Sequence, residues 1–331
     1  LKKGGSGATQ ERRGNKMIGK IPVYMITGFL ESGKTTFMNE VLLEGEFADG
    51  QPALLIACEE GEVEYDRDEL LKNSIALVTV EEEEEFNNLF LQQQIKKYRP
   101  KKVFIEMNGM WDSKWMYEPN AMPNLELVQV ISIIDGSTFP VYLNNMRSII
   151  SNVFQYAEMV IFNRCTEDME LHSYRRTIRA LNPGAMVYFE GEDGEPIDPG
   201  MEVPPYDLNA PVIRVDDMDY GLWFLDASDN PDRYDGKKVR FLAKVMKTRQ
   251  LPKGCIIPGR NAMTCCEDDI RFVGYLCHAD FIDELKSRQW IYLTAQIRYE
   301  YVPEYREEGP VLYGVCYEPA QPPREDLVYF N

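Results

Sequence analysis

A glycine-bounded loop between an apolar strand and a helix constrains this chain more than any other feature. Residues 21–27 are apolar enough to form a buried strand, and apolar side chains recur at helical spacing after the loop. Gly28, Gly33, Lys34 and Thr35 fit the spacing G-x-x-x-x-G-K-[ST]. This spacing is typical of a loop that cradles the phosphates of a nucleotide.

The chemistry of phosphate binding requires these residue types at this spacing. Glycines let successive backbone N–H groups point inward at phosphate oxygens. Lys34 can reach the β- and γ-phosphates, and the Thr35 hydroxyl can ligate Mg²⁺ at the positive end of the following helix. The predicted phosphate contacts all lie in the loop or the first helical turn: Gly28, Glu31, Ser32, Gly33, Lys34, Thr35 and Thr36.

A second stretch supplies an acidic residue for the same predicted site. Glu106 ends the apolar segment 103–106, and Gly109 follows three positions later. The carboxylate can hold Mg²⁺ together with Thr35, and the Gly109 N–H can meet a γ-phosphate. We therefore predict that Lys34, Glu62 and Glu106 act in catalysis; Glu59, Glu62 and Asp66 are the candidates for positioning the attacking water.

The base would be bound by a third stretch, which follows the apolar segment 159–162. Asn163 and Arg164 occupy the places of Asn and Lys in the guanine-reading pattern N-K-x-D. Thr166 stands at the fourth position, where a hydroxyl cannot accept both guanine N1–H and N2–H₂ as a carboxylate does. Asp168 lies two positions further on and could substitute if the loop shifts. The choice between GTP and ATP therefore stays open.

Length and patterning predict two folded units. Apolar strands alternate with amphipathic helices as far as residue 189, which predicts a mostly parallel α/β sheet with helices on both faces. Five β-rich segments follow residue 236, with a helix predicted over 279–288, so we expect a smaller OB-like β-barrel. The expected boundaries are a disordered leader or cloning remnant at 1–16, a P-loop NTPase domain at 17–190, a Pro/Gly/acidic linker at 191–235, and the barrel at 236–331.

Composition excludes several function classes. The formal net charge of −18 disfavours nucleic-acid binding and adhesion to anionic membranes. No apolar run is long enough for membrane insertion, and no signal peptide is visible. Seven scattered cysteines suit a reducing cytoplasm better than a disulfide framework. We therefore expect a cytoplasmic protein.

Four motifs in order carry a family resemblance. They are the loop at 28–36, Glu-x-Gly-Glu-Val at 59–63, E-x-x-G at 106–109, and a strand ending in Asp135. Together they resemble the CobW-like P-loop GTPases, relatives of the urease and hydrogenase nickel-insertion GTPases that are often regarded as metallochaperones. The resemblance implies GTP and Mg²⁺ as cofactors and a role in metal handling, with a nucleotide-dependent homodimer as a further expectation.

Two features depart from that family pattern. Residues 75–80 hold no cysteine, although the family's C-x-C-C metal motif would lie there. The base-reading Asp is also missing, as described above. The stretch 258–274, with its Cys-Cys pair, resembles the C-terminal domain of YcgQ-like proteins, which are partners of a predicted permease. That resemblance implies a permease-associated partner protein.

Zinc ligands are predicted at two places. The first is Cys58, Glu59 and Glu62 beside the expected γ-phosphate, where nucleotide state could control metal affinity. The second contains Cys265 and Cys266, within a group of Cys and His side chains that begins at residue 255 and ends at residue 278. The competing interpretation is that these are a solvated switch loop and small buried hydrophobes, respectively.

Two functions are compatible with the sequence. The favoured one is a Mg²⁺-dependent switch that hydrolyses GTP slowly and couples its state to metal, with zinc expected, or to a partner protein. The alternative is a non-enzymatic adaptor that holds its nucleotide structurally and binds a partner or metal through the barrel. A single-stranded nucleic-acid role for the barrel ranks third because the chain is acidic.

Overall fold

The computed structural model describes residues 19–44, 47, 49–59, 61, 63–263, 270–303 and 306–330. The described chain forms two sheets, one of seven strands and one of eight. None of the described helices is long and apolar enough to cross a membrane.

The first sheet is parallel throughout, with strand order β3-β2-β4-β1-β5-β6-β7. Its strands are β1 (Ile21–Thr27), β2 (Ala53–Ala57), β3 (Ile75–Thr79), β4 (Lys102–Glu106), β5 (Leu125–Asp135), β6 (Met159–Asn163) and β7 (Met186–Phe189). The helices that follow these strands are α1 (Lys34–Asn39, continued as a π-helical turn over Glu40–Glu44), α2 (Arg67–Lys72), α3 (Asn88–Tyr98), α4 (Phe139–Asn145), α5 (Arg147–Phe154) and α6 (Leu171–Leu181).

Apolar layers cover both faces of this sheet. On β2, Leu54 and Ile56 belong to one hydrophobic cluster, whereas Ala53 and Leu55 belong to another. Because successive side chains of a strand point to opposite faces, the two clusters are the two helix-covered layers. The predicted P-loop NTPase fold is confirmed. The carboxyl ends of β1, β4 and β6 bring the three predicted nucleotide-binding stretches to one edge.

One helix of this part begins later than the sequence predicts. The amphipathic pattern of residues 81–98 predicts a helix from residue 81, but α3 begins after Asn87, whose side chain accepts a hydrogen bond from the Phe90 N–H at 3.1 Å. The preceding glutamates form only a short 3₁₀ turn over Glu83–Glu85 and are exposed. An Asn cap outweighs the mild helix preference of the acidic run, because it satisfies an amide that would otherwise lack a partner.

The second sheet closes into a barrel through the order β9-β10-β12-β14-β13 and back to β9. Its strands are β8 (Ile213–Arg214), β9 (Lys238–Met246), β10 (Cys255–Met263), β11 (Ile270–Gly274), β12 (Leu276–His278), β13 (Trp290–Val302), β14 (Glu307–Pro319) and β15 (Leu327–Val328). Of the pairings that close it, β12 with β14 is parallel and the others are antiparallel. The predicted five-stranded barrel is therefore confirmed.

The predicted helix at 279–288 is wrong. Only a 3₁₀ turn forms, over Ile282–Glu284. The Lys247 ammonium donates to the carbonyl oxygens of Ile282 and Leu285, the latter at 2.6 Å. A continuing α-helix would need those carbonyls for its own amides. The β-rich segment 270–277, predicted as one strand, forms two strands, β11 and β12.

The segment 191–235, predicted as a linker, contains regular structure. Helix α7 (Tyr220–Asp229) and the short helix α8 (Pro231–Tyr234) lie within it. Trp223 of α7 is fully buried and packs on Phe241 of the barrel with ring centroids 4.7 Å apart. Arg179 of α6 pairs with Asp229 of α7, so this segment also contacts the first domain.

Candidate functional site

The loop after β1 has a backbone that side chains would disrupt. Gly28 has φ 148° and Gly33 has φ 94°. A Cβ on Gly28 would lie 2.1 Å from the Ile133 carbonyl oxygen, and one on Gly109 would lie 2.4 Å from the Gly28 carbonyl oxygen. Only glycine fits such close backbone approaches. The structure thus places Gly109 directly against the loop, as the sequence predicts.

Lys34 is folded back over this loop. Its side chain is buried, with 2% of the residue exposed. The ammonium donates to the carbonyl oxygens of Gly28 at 3.1 Å and Phe29 at 2.7 Å, and it forms an ion pair with Glu59. Glu59, from the segment after β2, is therefore the anionic partner of the Lys34 ammonium in this structure.

Glu106 is held by two hydroxyl groups. Its carboxylate is buried at the end of β4, and Thr35 Oγ1 donates to Oε1 at 2.7 Å. The Tyr65 hydroxyl donates to the other oxygen, Oε2. The sequence predicted Thr35 beside Glu106, but Tyr65 was missed. No motif spacing identifies Tyr65, because its contact depends on the fold bringing two distant stretches together.

Burial and nearby charges change the pKa of two groups beside Lys34, Glu59 and Cys58. Burial raises the pKa of the Glu59 carboxyl, and the Lys34 ammonium only partly offsets this. Burial also raises the pKa of the Cys58 thiol, with a further contribution from the charges of Glu106 and Glu59. Cys58 is therefore a protonated thiol in this arrangement, and a metal ion would have to displace its proton.

Asn163 and Arg164 reach the phosphate loop from the end of β6. Asn163 Nδ2 donates to the Ser32 carbonyl oxygen at 2.8 Å. Arg164 Nη1 donates to the Glu31 carbonyl oxygen at 3.0 Å and to Asp135 Oδ2 at 2.6 Å. The predicted convergence of the third stretch on the loop is therefore present in the geometry.

Thr166, at the fourth position of the base-reading stretch, is in contact with Asp168 two positions further on. A hydrogen bond with the Thr166 side chain lowers the pKa of the exposed Asp168 carboxyl. The Asp168 carboxylate therefore lies beside the Thr166 hydroxyl, which takes the place of the Asp in the N-K-x-D pattern.

Three buried polar atoms near the loop have no hydrogen-bond partner in the described part of the chain. They are Ser32 Oγ, Glu59 Oε2 and Asn163 Oδ1. Buried polar groups are usually satisfied, so a cluster of unsatisfied ones indicates a ligand site. Glu31 and Thr36, also predicted as contacts, are exposed at the rim of the loop and in the first turn of α1.

Hard oxygen ligands for Mg²⁺ are adjacent at this place. The Thr35 hydroxyl and the Glu106 carboxylate lie within hydrogen-bonding distance of each other. These are ligand types that Mg²⁺ prefers, and a nucleotide would supply phosphate oxygens in addition. The residues present therefore fit a bound Mg²⁺–nucleotide.

Residues 22–189 match the family model of the CobW/HypB/UreG nucleotide-binding domain. This match covers just over half of the chain. The chain belongs to the CobW/HypB/UreG family. Residues 199–330 match the model of the DUF1980 C-terminal domain. The resemblances drawn from the sequence for the two parts are confirmed by these matches.

Solved structures that resemble this CobW/HypB/UreG protein share part of its length. A zinc-bound triple mutant of the YjiA GTPase is 25% identical, with TM-score 0.42, over 55% of this chain and 60% of that one. HypB from Archaeoglobus fulgidus is 14% identical, with TM-score 0.39, over 53% and 83%. HypB from Helicobacter pylori in complex with nickel is 15% identical, with TM-score 0.33, over 54% and 80%. A comparison with curated proteins finds no match.

The structure describes only two of the five predicted zinc ligands, Cys58 and Glu59. Glu62, Cys265 and Cys266 lie outside the described residues. Cys58 and Glu59 are adjacent to the phosphate loop as predicted, with the protonation and ion pair given above. Within the described ranges, no three His, Cys, Asp or Glu side chains are grouped to hold a metal ion.

Proposed function

We propose that the protein is a Mg²⁺-dependent GTP-binding switch that hydrolyses GTP slowly and couples its nucleotide state to metal handling, with zinc as the expected metal, or to a partner protein. The observation that carries this proposal is the group of Lys34, Thr35 and Glu106 around a glycine loop that contains unsatisfied buried polar atoms. Membership of a nucleotide-binding family supports it.

Binding of a triphosphate would begin with an exchange of partners at Lys34. The ammonium now pairs with Glu59, and phosphate oxygens would replace that carboxylate. Release of Glu59 would free the segment that follows it, which includes Tyr65. Occupancy of the loop would in this way be transmitted to a surface segment, as a switch requires.

Catalysis would depend on position and charge rather than on covalent chemistry. Thr35 and Glu106 would hold Mg²⁺, which supplies positive charge to the phosphate oxygens when bound. Lys34 would stabilise the charge that develops on the phosphoryl oxygens. Among the candidates for positioning water, Asp66 uses Oδ1 to cap α2 through the amides of Asp68 and Glu69, which leaves Glu59 the better-placed described residue.

GTP is proposed as the nucleotide because Asn163 and Arg164 meet the loop from the base side. The carboxylate of Asp168 lies beside Thr166, so it is the group we expect to read the guanine N1–H and N2–H₂. A titration of GTP against ATP, each with Mg²⁺ and with and without Zn²⁺, tests both the base preference and the coupling to metal.

Phosphate release from the full chain, with GTP or ATP in large excess, tests the proposed activity. We expect slow, sustained turnover of GTP that is lost in Lys34→Ala. Lys72→Ala removes an exposed lysine of the neighbouring α2 and is the matched control, which should leave turnover unchanged. Unchanged nucleotide binding and turnover in Lys34→Ala would overturn the proposal.

The alternative of a non-enzymatic adaptor is supported by a specific observation. Lys34 is already neutralised by Glu59, and the base-reading position carries Thr166 in place of Asp. A nucleotide that is bound but not hydrolysed would suit this arrangement. Sustained turnover at catalytic protein concentrations would rule the adaptor out. The cytoplasmic location, the permease-associated partner and the nucleotide-dependent homodimer stay predictions.

A further inference from the structure

A cysteine and a histidine meet on the barrel, far from the phosphate loop in sequence. Cys255 begins β10 and His278 ends β12, and the two residues are directly opposite in the antiparallel register of these strands. Cys255 Sγ lies 3.3 Å from His278 Nδ1 and 3.9 Å from Nε2. The side chains therefore face each other across one strand pair.

Apolar and aromatic groups hold this pair in place. Cys255 is buried in a small cluster with Leu276, Val302 and Val311, separate from the main barrel core. The ring of His278 stacks on Tyr313 with centroids 5.4 Å apart and an angle of 20° between the planes. The orientation of the imidazole is therefore restricted, which is what a metal site requires of its ligands.

Cys277 shows that this placement is specific. It precedes His278 on the same strand, yet its side chain is fully buried in the main barrel core. Of the two cysteines next to His278, one across the strands and one along the chain, only Cys255 shares its face.

We propose that Cys255 and His278 are two ligands of a metal site on the barrel. The site would take a borderline or soft divalent cation, of which Zn²⁺ is the representative. With Zn–S about 2.3 Å and Zn–N about 2.0–2.1 Å, tetrahedral geometry separates the sulfur and nitrogen by about 3.5 Å. The observed 3.3 Å lies within a few tenths of an ångström of that value. A thiolate and a neutral imidazole are ligands that Zn²⁺ prefers.

Within the described ranges, no third His, Cys, Asp or Glu side chain joins this pair. Cys255 and His278 are therefore the two ligands that the described residues assign to the site. Binding would release the thiol proton of Cys255 to solvent. This inference does not depend on the proposed nucleotide hydrolysis.

The competing explanation is an ordinary hydrogen bond between the thiol and the imidazole, which the same distance permits. Metal titration of the chelator-treated full chain separates the two. Co²⁺ is the spectroscopic probe because thiolate ligation produces a charge-transfer band in the near ultraviolet, and Zn²⁺ is then added in competition. Proton release is measured in parallel.

We expect Cys255→Ser to abolish the thiolate band, and Cys255→Ser and His278→Gln each to weaken Zn²⁺ binding at least about tenfold. Cys316→Ser removes an exposed thiol from β14 and is the matched control, with no change expected. Glu59→Gln tests whether the metal binds beside the phosphate loop instead, and it should leave the Zn²⁺ affinity unchanged.

Several results would overturn the site. They are the absence of Zn²⁺ or Co²⁺ binding to the unmodified chain, equal affinity in Cys255→Ser and His278→Gln, and loss of binding in Glu59→Gln alone. The circular-dichroism spectrum of each variant, and the GTP turnover of the three barrel variants, show that the protein is folded. Because turnover is expected to persist in Cys255→Ser, failure of this site is distinguishable from failure of the proposed GTP hydrolysis.

Discussion

Lys34 of the α/β domain and Arg260 of the barrel are both almost completely buried, and the two cations are used in different ways. Lys34 of the α/β domain is 2% exposed, and Arg260 of the barrel is 1% exposed. The Arg260 guanidinium donates to Asp217 at 2.6 Å and to the Glu325 carbonyl oxygen at 3.1 Å, and it lies over the Trp290 ring. Lys34 instead binds two carbonyls of its own loop and a carboxylate from another segment.

Burial of a cation therefore does not by itself mark a functional site. The planar guanidinium of Arg260 is restrained along its edge and on its face, although its Nε has no hydrogen-bond partner among the described residues, so an exchange of partners would disrupt the barrel. The ammonium of Lys34 is a mobile point charge held by two loop carbonyls and one carboxylate, so it can change partners at low cost. The surroundings of the charge distinguish ligand binding from structural support.

The sharpest test of this difference is to remove each cation. Lys34→Met should weaken Mg²⁺–GTP binding about 1,000-fold, because charge-assisted bonds contribute about 1.5–3 kcal/mol each and 1.4 kcal/mol is tenfold. Arg260→Met should lower the free energy of unfolding by about 2 kcal/mol and leave GTP affinity unchanged. Calorimetric titration and denaturant unfolding of both variants provide the two readouts. Equal loss of GTP affinity in both variants would contradict the distinction.

The same comparison applies to two carboxylates, the buried Glu106 and the partly buried Asp226. Asp226 of α7 accepts hydrogen bonds from Arg233, Asn230 and Tyr234, so all of its partners are structural. Glu106 accepts only from the hydroxyls of Thr35 and Tyr65 among the described groups. Hydroxyl donors leave the carboxylate able to take a cation.

Glu106→Gln should therefore lower GTP turnover about 100-fold and weaken its dependence on Mg²⁺. Asp226→Asn should lower the melting temperature without changing the Mg²⁺ dependence. Initial rates over a range of Mg²⁺ concentrations, together with thermal unfolding, check both. If Asp226→Asn changed the Mg²⁺ dependence, the barrel would be part of the metal–nucleotide site.

Sequence patterns predicted the elements around the site well because local periodicity determines them. Periodicity predicts a strand over residues 159–163 and a helix over residues 171–181, and β6 and α6 have these bounds. Helix α6 is strongly amphipathic. Helix α7 was missed because its own apolar residues are not confined to one face. No alternation of polar and apolar residues therefore indicates a helical period in this segment. The helix expected at 279–288 does not form, because Lys247, which follows β9, binds the carbonyl oxygens of Ile282 and Leu285.

The residues of the site also fall into two groups, those that a local motif predicts and those that depend on tertiary contacts. Gly28, Lys34 and Thr35 are predictable because phosphate binding requires these residue types at a fixed spacing. Tyr65 and the pairing of Glu59 with Lys34 are not, because each contact joins stretches that only the tertiary fold brings together. A motif identifies which groups a ligand needs, whereas it does not show what they contact in the ligand's absence.

A smaller effect is expected from releasing Lys34 in advance. Glu59→Gln removes the carboxylate that competes with phosphate oxygens, so Mg²⁺–GTP should bind about fivefold to tenfold more tightly. Glu318→Gln in the barrel also removes a carboxylate paired with a cation, Arg240, and should leave GTP affinity unchanged. Calorimetric titration measures both. Weaker GTP binding in Glu59→Gln would show that Glu59 holds the nucleotide or its metal rather than competing with it.

The smallest expected effect concerns Asp135, whose carboxylate pairs with Arg164 at the end of β5. Desolvation opposes ionisation, but hydrogen bonds from Ser137 and Arg164 outweigh it and lower the pKa of Asp135 below the ordinary 3.8. A lowered folded-state pKa stabilises the protein above pH 3.8, and this contribution disappears as the pH falls through the lowered value. Because the Arg164 side chain is 44% exposed, screening limits the effect of Asp135→Asn at pH 7 to less than about 1 kcal/mol.

Denaturant unfolding of Asp135→Asn from pH 7 down to pH 3 measures this contribution. The difference from the unmodified chain should shrink as the pH falls below 3.8. The ratio of GTP to ATP affinity, measured on the same variant at pH 7, adds a functional readout because the freed Arg164 also binds the loop at Glu31. A stability difference that stays constant with pH would mean that Asp135 acts through the packing of its turn with Ser137 rather than through its charge.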